Sequence, residues 1–217
     1  MGKKLVLLAL AAVSVALFAM PTVASAAENH FDTATTFTGT GGPGSIVVKE
    51  EPTLTFEALD INNGTISAGG TTGTMTLDFT GCHGSVFGLT AKCHTTGSAL
   101  DNTVGTSATF HMITVSPGVP AILLTLAPFE VIVAGISSMY FEGNLIGTIT
   151  SPKCGETSNK MSLSFSATGS TQNHLNYTGL PYDLIARTGG PGGAPRTAGF
   201  NASATLTTNT PGTLTCT

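Results

Sequence analysis

Apolar and polar residues alternate along much of the chain, in segments about as long as a β-strand. A period of two places successive side chains on opposite faces, and one apolar face is typical of an antiparallel strand buried on one side. No segment shows a convincing helical period. The apolar positions of the alternating segments are Leu54, Phe56 and Ala58; Met75, Leu77 and Phe79; Phe110 and Met112; Leu145, Gly147 and Ile149; Met161, Leu163, Phe165 and Ala167; and Phe200, Ala202, Ala204 and Leu206.

Turn signals separate these segments. Asn63-Gly64 predicts a hairpin turn, because both residues tolerate a positive φ. Residues 39–44 and 189–193 both contain Gly-Gly-Pro-Gly and are predicted to be loops. Further turns are predicted at Gly69-Gly70, Pro117-Gly118 and Ser151-Pro152.

The most apolar internal stretch is residues 119–136. A transmembrane helix is one interpretation, but Pro120, Pro128 and Glu130 are unfavourable in a single lipid-exposed helix. Two buried strands, residues 121–126 and 129–133, turning at Pro128, fit the sequence better.

Together these segments predict about ten short strands. The predicted fold is all-β, an antiparallel β-sandwich with a β-barrel as the alternative. We expect a single domain over residues 27–217, and the pattern does not choose a strand topology.

The first 26 residues have the features of an export signal. Lys3 and Lys4 precede an apolar run, residues 5–20, and the small residues Ala24-Ser25-Ala26 follow it. This order predicts cleavage between Ala26 and Ala27. The alternative is an N-terminal membrane anchor, for which the run is short. We expect a protein without a transmembrane anchor in its mature form that is secreted, extracellular or associated with the cell wall.

Composition narrows the classes of function. The formal net charge is −4, and loss of Lys3 and Lys4 would make it −6, which argues against nucleic acid as a partner. Only 9% of residues are charged, while the chain has 37 Thr and 27 Gly. Threonine suits strands and glycine suits turns. The 41% hydrophobic content argues against disorder.

Cys82, Cys93, Cys154 and Cys216 are the four cysteines. In an exported chain they predict two disulfides. Three pairings exist, and we expect Cys82–Cys93 and Cys154–Cys216, because the first two flank a short segment between neighbouring strands.

A metal site is the competing interpretation of two of these cysteines. Cys82-His83 and Cys93-His94 are repeated Cys-His pairs that suit zinc or copper. Adjacent residues on a strand point to opposite faces, so a disulfide is the better interpretation. Residues 39–44 also match GxGxxG, but no helix is predicted after them to bind a phosphate. We predict no metal and no cofactor.

Hydrolytic sites have weak support, and we predict no catalytic residue. GxSxG is absent, and Ser158-Asn159-Lys160 has the spacing of some Ser-Lys dyads but is predicted to be a polar loop. Glycoside cleavage needs two facing carboxylates. Glu50, Glu51, Glu57 and Asp60 are close in sequence, and a solvated strand end explains them equally well.

Sugar and calcium sites have little more support. The chain has no Trp, and Tyr140, Tyr177 and Tyr182 are its three tyrosines, so an aromatic platform for a sugar is poorly provided. Residues 60–64 are similar to the start of a calcium loop but lack its later acidic ligands. A turn is the preferred interpretation of this segment.

Two stretches resemble a group of exported actinobacterial proteins of unknown function. One is residues 75–82, MTLDFTGC, followed by Cys93, and the other is residues 143–150, GNLIGTIT, followed by Gln172. The resemblance covers roughly residues 73–178. It implies a β-rich secreted protein and no activity.

The leading hypothesis is an exported, non-enzymatic structural or interaction protein at the cell surface or in the medium. A carbohydrate-binding module is the alternative, and a secreted hydrolase is less favoured. The partner is unknown, with a cell-envelope protein or a glycan as the expected classes.

Overall fold

The computed structural model describes residues 29–96, 102–174, 176–177, 180–181 and 183–217. Within these residues the chain forms eighteen β-strands and no helix. The strands, numbered in chain order, are β1 His30–Phe31, β2 Thr35–Gly41, β3 Gly44–Val48, β4 Leu54–Phe56, β5 Ala58–Ile66, β6 Thr72–Thr80, β7 His83–Val86, β8 Leu89–Thr95, β9 Thr103–Ser116, β10 Val119–Val133, β11 Ser137–Ser151, β12 Thr157–Phe165, β13 Ala167–Thr168, β14 Thr171–Gln172, β15 Asn176–Tyr177, β16 Leu180–Pro181, β17 Leu184–Thr188 and β18 Pro195–Thr215.

Fourteen of these strands belong to one antiparallel sheet whose pairings form two closed circuits. The first circuit runs β18-β2-β5-β6-β9-β10-β11-β12 and returns to β18. The second runs β18-β3-β4-β7-β8-β10-β11-β17 and also returns to β18. The long strands β10, β11 and β18 therefore contribute to both circuits.

The all-β antiparallel fold is confirmed. A flattened closed circuit and a two-layer sandwich with hydrogen-bonded edges have the same pairings. The two circuits accordingly fit both the predicted sandwich and its barrel alternative.

The alternating segments place their apolar side chains in the core, as predicted for most of them. Met75, Leu77 and Phe79 of β6 are all buried. Phe200 of β18 stacks on Phe56 at a ring distance of 6.0 Å and meets the edges of Phe79 and Phe165. These aromatic contacts join strands that are distant in sequence.

The predicted alternation of the first segment is wrong after Phe56. β4 ends there, and the N–H of Glu57 donates to the carbonyl of Thr80 at 2.9 Å. The interruption shifts the alternation by one residue, so that Leu59 is buried and Ala58 is half-buried. The last position of the fifth segment also differs, because β12 ends at Phe165 and Ala167 is half-buried in β13.

Two predicted turns are bulges inside continuous strands. Asn63 has the expected positive φ of 51°, but it lies in β5, whose pairing with β2 and β6 continues on both sides of it. The predicted turn at Pro128 is likewise a register shift within β10 between Leu126 and Phe129. Proline lacks an N–H group, and a bulge is where a strand tolerates that loss.

The predicted loop at residues 39–44 is largely strand. Gly39 to Gly41 belong to β2 and Gly44 begins β3, leaving only Gly42 and Pro43 between the strands. A Cβ on Gly41 would lie 2.3 Å from the carbonyl oxygen of Ser203 in β18. Glycine here permits close approach of two strands. Gly69-Gly70 and Pro117-Gly118 do form turns, and residues 189–193 do form a loop.

Both predicted disulfides are present. Cys82 and Cys93 have Cα atoms 5.2 Å apart, and Cys154 and Cys216 have Cα atoms 5.4 Å apart. The first bridge joins the start of the β7–β8 hairpin to β8 and is buried, whereas Cys154 is exposed. The second bridge fixes the C-terminal end of β18.

Candidate interaction surface

A row of threonines crosses the outer face of the first circuit. Thr36, Thr65, Thr74, Thr109 and Thr125 are directly opposite one another in successive pairings of β2, β5, β6, β9 and β10. All five side chains are exposed. The row exists because each strand alternates inward apolar and outward polar residues, and the registers align the outward threonines. We call these five residues the threonine row.

Hydrogen bonds connect members of the row and extend it at both ends. The hydroxyls of Thr65 and Thr74 are 2.9 Å apart. The Thr125 hydroxyl donates to Oδ1 of Asn144 in β11 at 2.7 Å. At the other end, the side-chain amide of Asn209 in β18 donates to the Thr36 hydroxyl. Neutral hydrogen-bonding groups therefore span seven neighbouring strands.

Two grooves lie on either side of the threonine row. Their volumes are about 420 and 430 Å³, and Thr74, Thr109 and Thr125 line both of them. The first groove adds Thr76 and Ser107 on the same outer face. The second groove adds its own polar residues, Ser67, Thr72 and His111. Each threonine presents a hydroxyl that both donates and accepts, together with a methyl group. Such a surface suits a neutral ligand with its own hydroxyl or amide groups.

Two carboxyl groups away from these grooves have shifted pKa values. A hydrogen bond from the backbone N–H of Thr213, 2.7 Å long, lowers the pKa of Asp32, with a smaller contribution from the Thr33 hydroxyl. Burial raises the pKa of Asp183. Neither carboxyl group lines the grooves, so their titration does not act directly on the threonine row.

The disulfide removes the cysteines of the two Cys-His pairs as metal ligands. Cys82 and Cys93 are bonded to each other, so their sulfurs are not thiolate ligands. His83 makes a 2.8 Å hydrogen bond through Nδ1 with the carbonyl of Gly81. Among the described residues no group of three or more His, Cys, Asp or Glu is arranged to hold a metal ion.

The predicted Ser-Lys segment is strand rather than loop. Ser158 and Lys160 belong to β12, and the Ser158 hydroxyl accepts a hydrogen bond from the backbone N–H of Lys160 at 2.9 Å. A register shift with β18 lies between them. The polar composition that predicted a loop instead marks the bulged, solvent-facing start of the strand.

The four carboxylates that are close in sequence are in separate places. Glu50 and Glu51 lie between β3 and β4 and bind Arg196 at 2.8 and 3.4 Å. Asp60 lies on β5 opposite Asp78 of β6, and Glu57 lies in the link between β4 and β5. The segment from Asp60 to Gly64 is likewise part of β5 rather than the preferred turn.

Sequence reasoning did not identify the threonine row. The high threonine content indicates strand propensity, and the alternation predicts outward positions for Thr74 and Thr76. What the sequence lacks is the register that aligns threonines of five strands. The predicted cleavage site, Ala26 and Ala27, lies outside the described residues, and the side chains of Tyr177 and Tyr182 are also outside them.

Comparison of the chain with protein-family models, with curated proteins and with solved structures found no match. Over the described residues, the structure has no helix long and apolar enough to cross a membrane.

Proposed function

We propose that the protein is an exported, non-enzymatic structural or interaction protein that acts at the cell surface or in the medium. The threonine row carries this proposal. A continuous sheet holds the backbone of these five β-branched residues in register, so a ligand that binds their hydroxyls meets side chains with few accessible rotamers. The partner would be a cell-envelope protein or glycan with neutral hydrogen-bonding groups.

The disulfides support the exported location. Structural disulfides persist in oxidising compartments and are rare in the cytosol. Both bridges are consistent with an extracellular protein. Expression of the full chain in a secreting bacterium, followed by intact-mass analysis of medium and cell-wall fractions, tests the location. We expect a chain beginning at Ala27, and a mature fraction that retains Met1 would contradict the proposal.

The interaction is tested with a variant that removes three hydroxyls from the row. In Thr74→Val/Thr109→Val/Thr125→Val each side chain keeps its β-branched shape, so the strands should persist. Co-sedimentation with isolated cell-envelope fragments should weaken at least tenfold. Thr157→Val, an exposed position on β12, is the matched control and should bind normally. Equal binding by the triple variant and the unaltered chain would remove the row from the proposal.

A carbohydrate-binding module is the second candidate, and the two grooves beside the row favour it. Threonine, serine and asparagine side chains line the first groove beside Met75, Leu126 and two alanines, and their hydroxyl and amide groups match those of a glycan. A glycan array should then give a defined set of ligands that the triple variant loses. Envelope binding without any glycan signal would instead favour a protein partner.

A further inference from the structure

Three large apolar side chains are conspicuously exposed within the described part of the chain. Phe87 is 95% exposed, Leu89 is 73% exposed and Ile136 is 70% exposed. Phe87 and Leu89 are at the tip of the β7–β8 hairpin, and Ile136 is in the turn between β10 and β11. Single exposed apolar residues are common on proteins, so their common position is the informative observation.

The two turns lie at the same end of the second circuit. β8 pairs antiparallel with the end of β10, where Cys93 is opposite Val133. The N–H of Ala134 donates to the carbonyl of Lys92 at 3.0 Å, which ties the β10–β11 turn to β8. The β7–β8 pairing continues outward to Val86 and Leu89. At about 3.3 Å per residue, Leu89 lies roughly 13 Å beyond the last pair with β10.

The side chain of Phe87 is exposed, and its backbone conformation is also unfavourable. Phe87 and Gly88 both have positive φ angles, 52° and 79°. Asparagine, aspartate and glycine are the usual residues in such a two-residue turn, and a bulky residue with positive φ is an outlier. The same chain uses Asn63 at a φ of 51° in β5. Phenylalanine at this tip is therefore not explained by the turn, and strain of this kind points to function.

The turns are also free of charge. No ionisable residue occurs in residues 84–91 or 134–138, and the exposed Lys92 follows at the base of the hairpin. A stable protein interface buries about 800 Å² and uses roughly 20–30 residues on each partner, more than two short turns contain. A bilayer imposes no such shape requirement, and an uncharged apolar tip enters its interface without needing an anionic lipid.

We propose that the β7–β8 and β10–β11 turns bind a lipid bilayer by shallow insertion of Phe87, Leu89 and Ile136. The proposal goes beyond the proposed function, because these turns contain no residue of the threonine row. Three apolar side chains resemble one short lipid anchor in strength, so binding should be reversible, with a constant on the order of 10⁴ M⁻¹.

The absence of tryptophan from the chain gives a direct test. Phe87→Trp places the single indole at the tip, and phosphatidylcholine vesicles should shift its emission to the blue. Lipids brominated on their acyl chains should quench it. Pro117→Trp is the matched control, because Pro117 is in the exposed turn at the opposite end of β10. Unchanged emission from Phe87→Trp, or an equal shift in both variants, would overturn the proposal.

Phe87→Asn/Leu89→Thr separates binding from folding. Asparagine suits the positive φ, so the melting temperature should stay the same or rise. Co-sedimentation with the vesicles should fall at least tenfold, while envelope binding through the threonine row should persist. Unreduced vesicle binding by this variant would contradict the proposal. The proposal would also be contradicted if the unaltered chain formed a dimer but bound no vesicles, and if this variant abolished the dimer.

Discussion

The sequence predicts that Gly147 faces the core, but only the packing of the folded chain shows why this position is a glycine. Its inward position in β11 was predicted from the alternation around Leu145 and Ile149, and all three are buried. A Cβ on Gly147 would lie 2.5 Å from the Phe165 ring. The space that would hold a side chain is occupied by an aromatic ring of the neighbouring strand.

Gly147→Ala should therefore destabilise the fold. Overpacking a core position costs about 1–3 kcal/mol. At roughly 2–4 °C per kcal/mol for a chain of this size, thermal unfolding should show a lower midpoint by several degrees. Gly42→Ala is the control, because a Cβ there has no neighbour within 4 Å. An unchanged midpoint for Gly147→Ala would show that Phe165 moves away at little cost.

The raised pKa of the Asp183 carboxyl group predicts a pH dependence of stability. Burial raises its pKa in the folded chain, and its Oδ1 is buried without a hydrogen-bond partner. The folded state then binds more protons than the unfolded state between the two pKa values. Stability falls as pH rises through this window and stays lower above it.

Asp183→Asn should remove that penalty. Urea unfolding at pH 7 should give a higher free energy of unfolding for the variant, and the difference should shrink as the pH falls below the ordinary pKa of aspartate. The pH dependence that Asp32 contributes has the opposite sign. Its lowered pKa stabilises the fold above the ordinary pKa of aspartate, and this stabilisation is lost in acid. Asp32→Asn, as the control, should therefore not stabilise the chain at neutral pH.

At the scale of elements, the two disulfides restrain different parts of the sheet. Cys82–Cys93 closes a sequence separation of 11 residues and is almost wholly buried, whereas Cys154–Cys216 closes 62 residues and Cys154 is exposed. In the chain-entropy model the longer bridge contributes about 4 kcal/mol and the shorter about 3 kcal/mol. The longer bridge also holds the end of β18.

We expect a soluble phosphine to reduce Cys154–Cys216 first under native conditions, because Cys154 is exposed whereas Cys82 and Cys93 are both buried. Alkylation followed by peptide mapping identifies the order of reduction. The partly reduced protein should lose about 4 kcal/mol of unfolding free energy, measured in urea. Earlier alkylation of Cys82 and Cys93 would contradict the expected protection of the buried bridge.

Across the whole molecule, β10, β11 and β18 connect the two circuits. Each is hydrogen-bonded to strands of both circuits, so opening any of them disrupts both. Segments of this kind exchange their amide hydrogens only through nearly global unfolding. The β7–β8 tip projects from the sheet and should open locally.

Hydrogen exchange followed by mass spectrometry should therefore find the slowest amides in β10, β11 and β18 and the fastest in the β7–β8 tip. β5 and β6 belong only to the first circuit and should exchange at intermediate rates. Equal protection of β5 and β18 would mean that the two circuits unfold as one cooperative unit.

The sequence by itself determined the all-β fold class, most of the inward-facing positions and both disulfide pairings. Most of these features are local: a period of two, glycine and proline at turns, and cysteines flanking a short segment. The pairing of Cys154 with Cys216 followed because the other two cysteines were already paired. The sequence misplaced Asn63, Pro128 and Ser158, because a bulge and a turn require the same residue types and differ only in whether neighbouring strands continue to pair. It misplaced Ala58 because the alternation does not reveal that β4 ends at Phe56. The two circuits, the threonine row and the joined apolar turns depend on which strands are neighbours and in which register. Only the tertiary structure decided these, since hydrogen bonds between strands far apart in sequence fix the alignment and leave no local pattern.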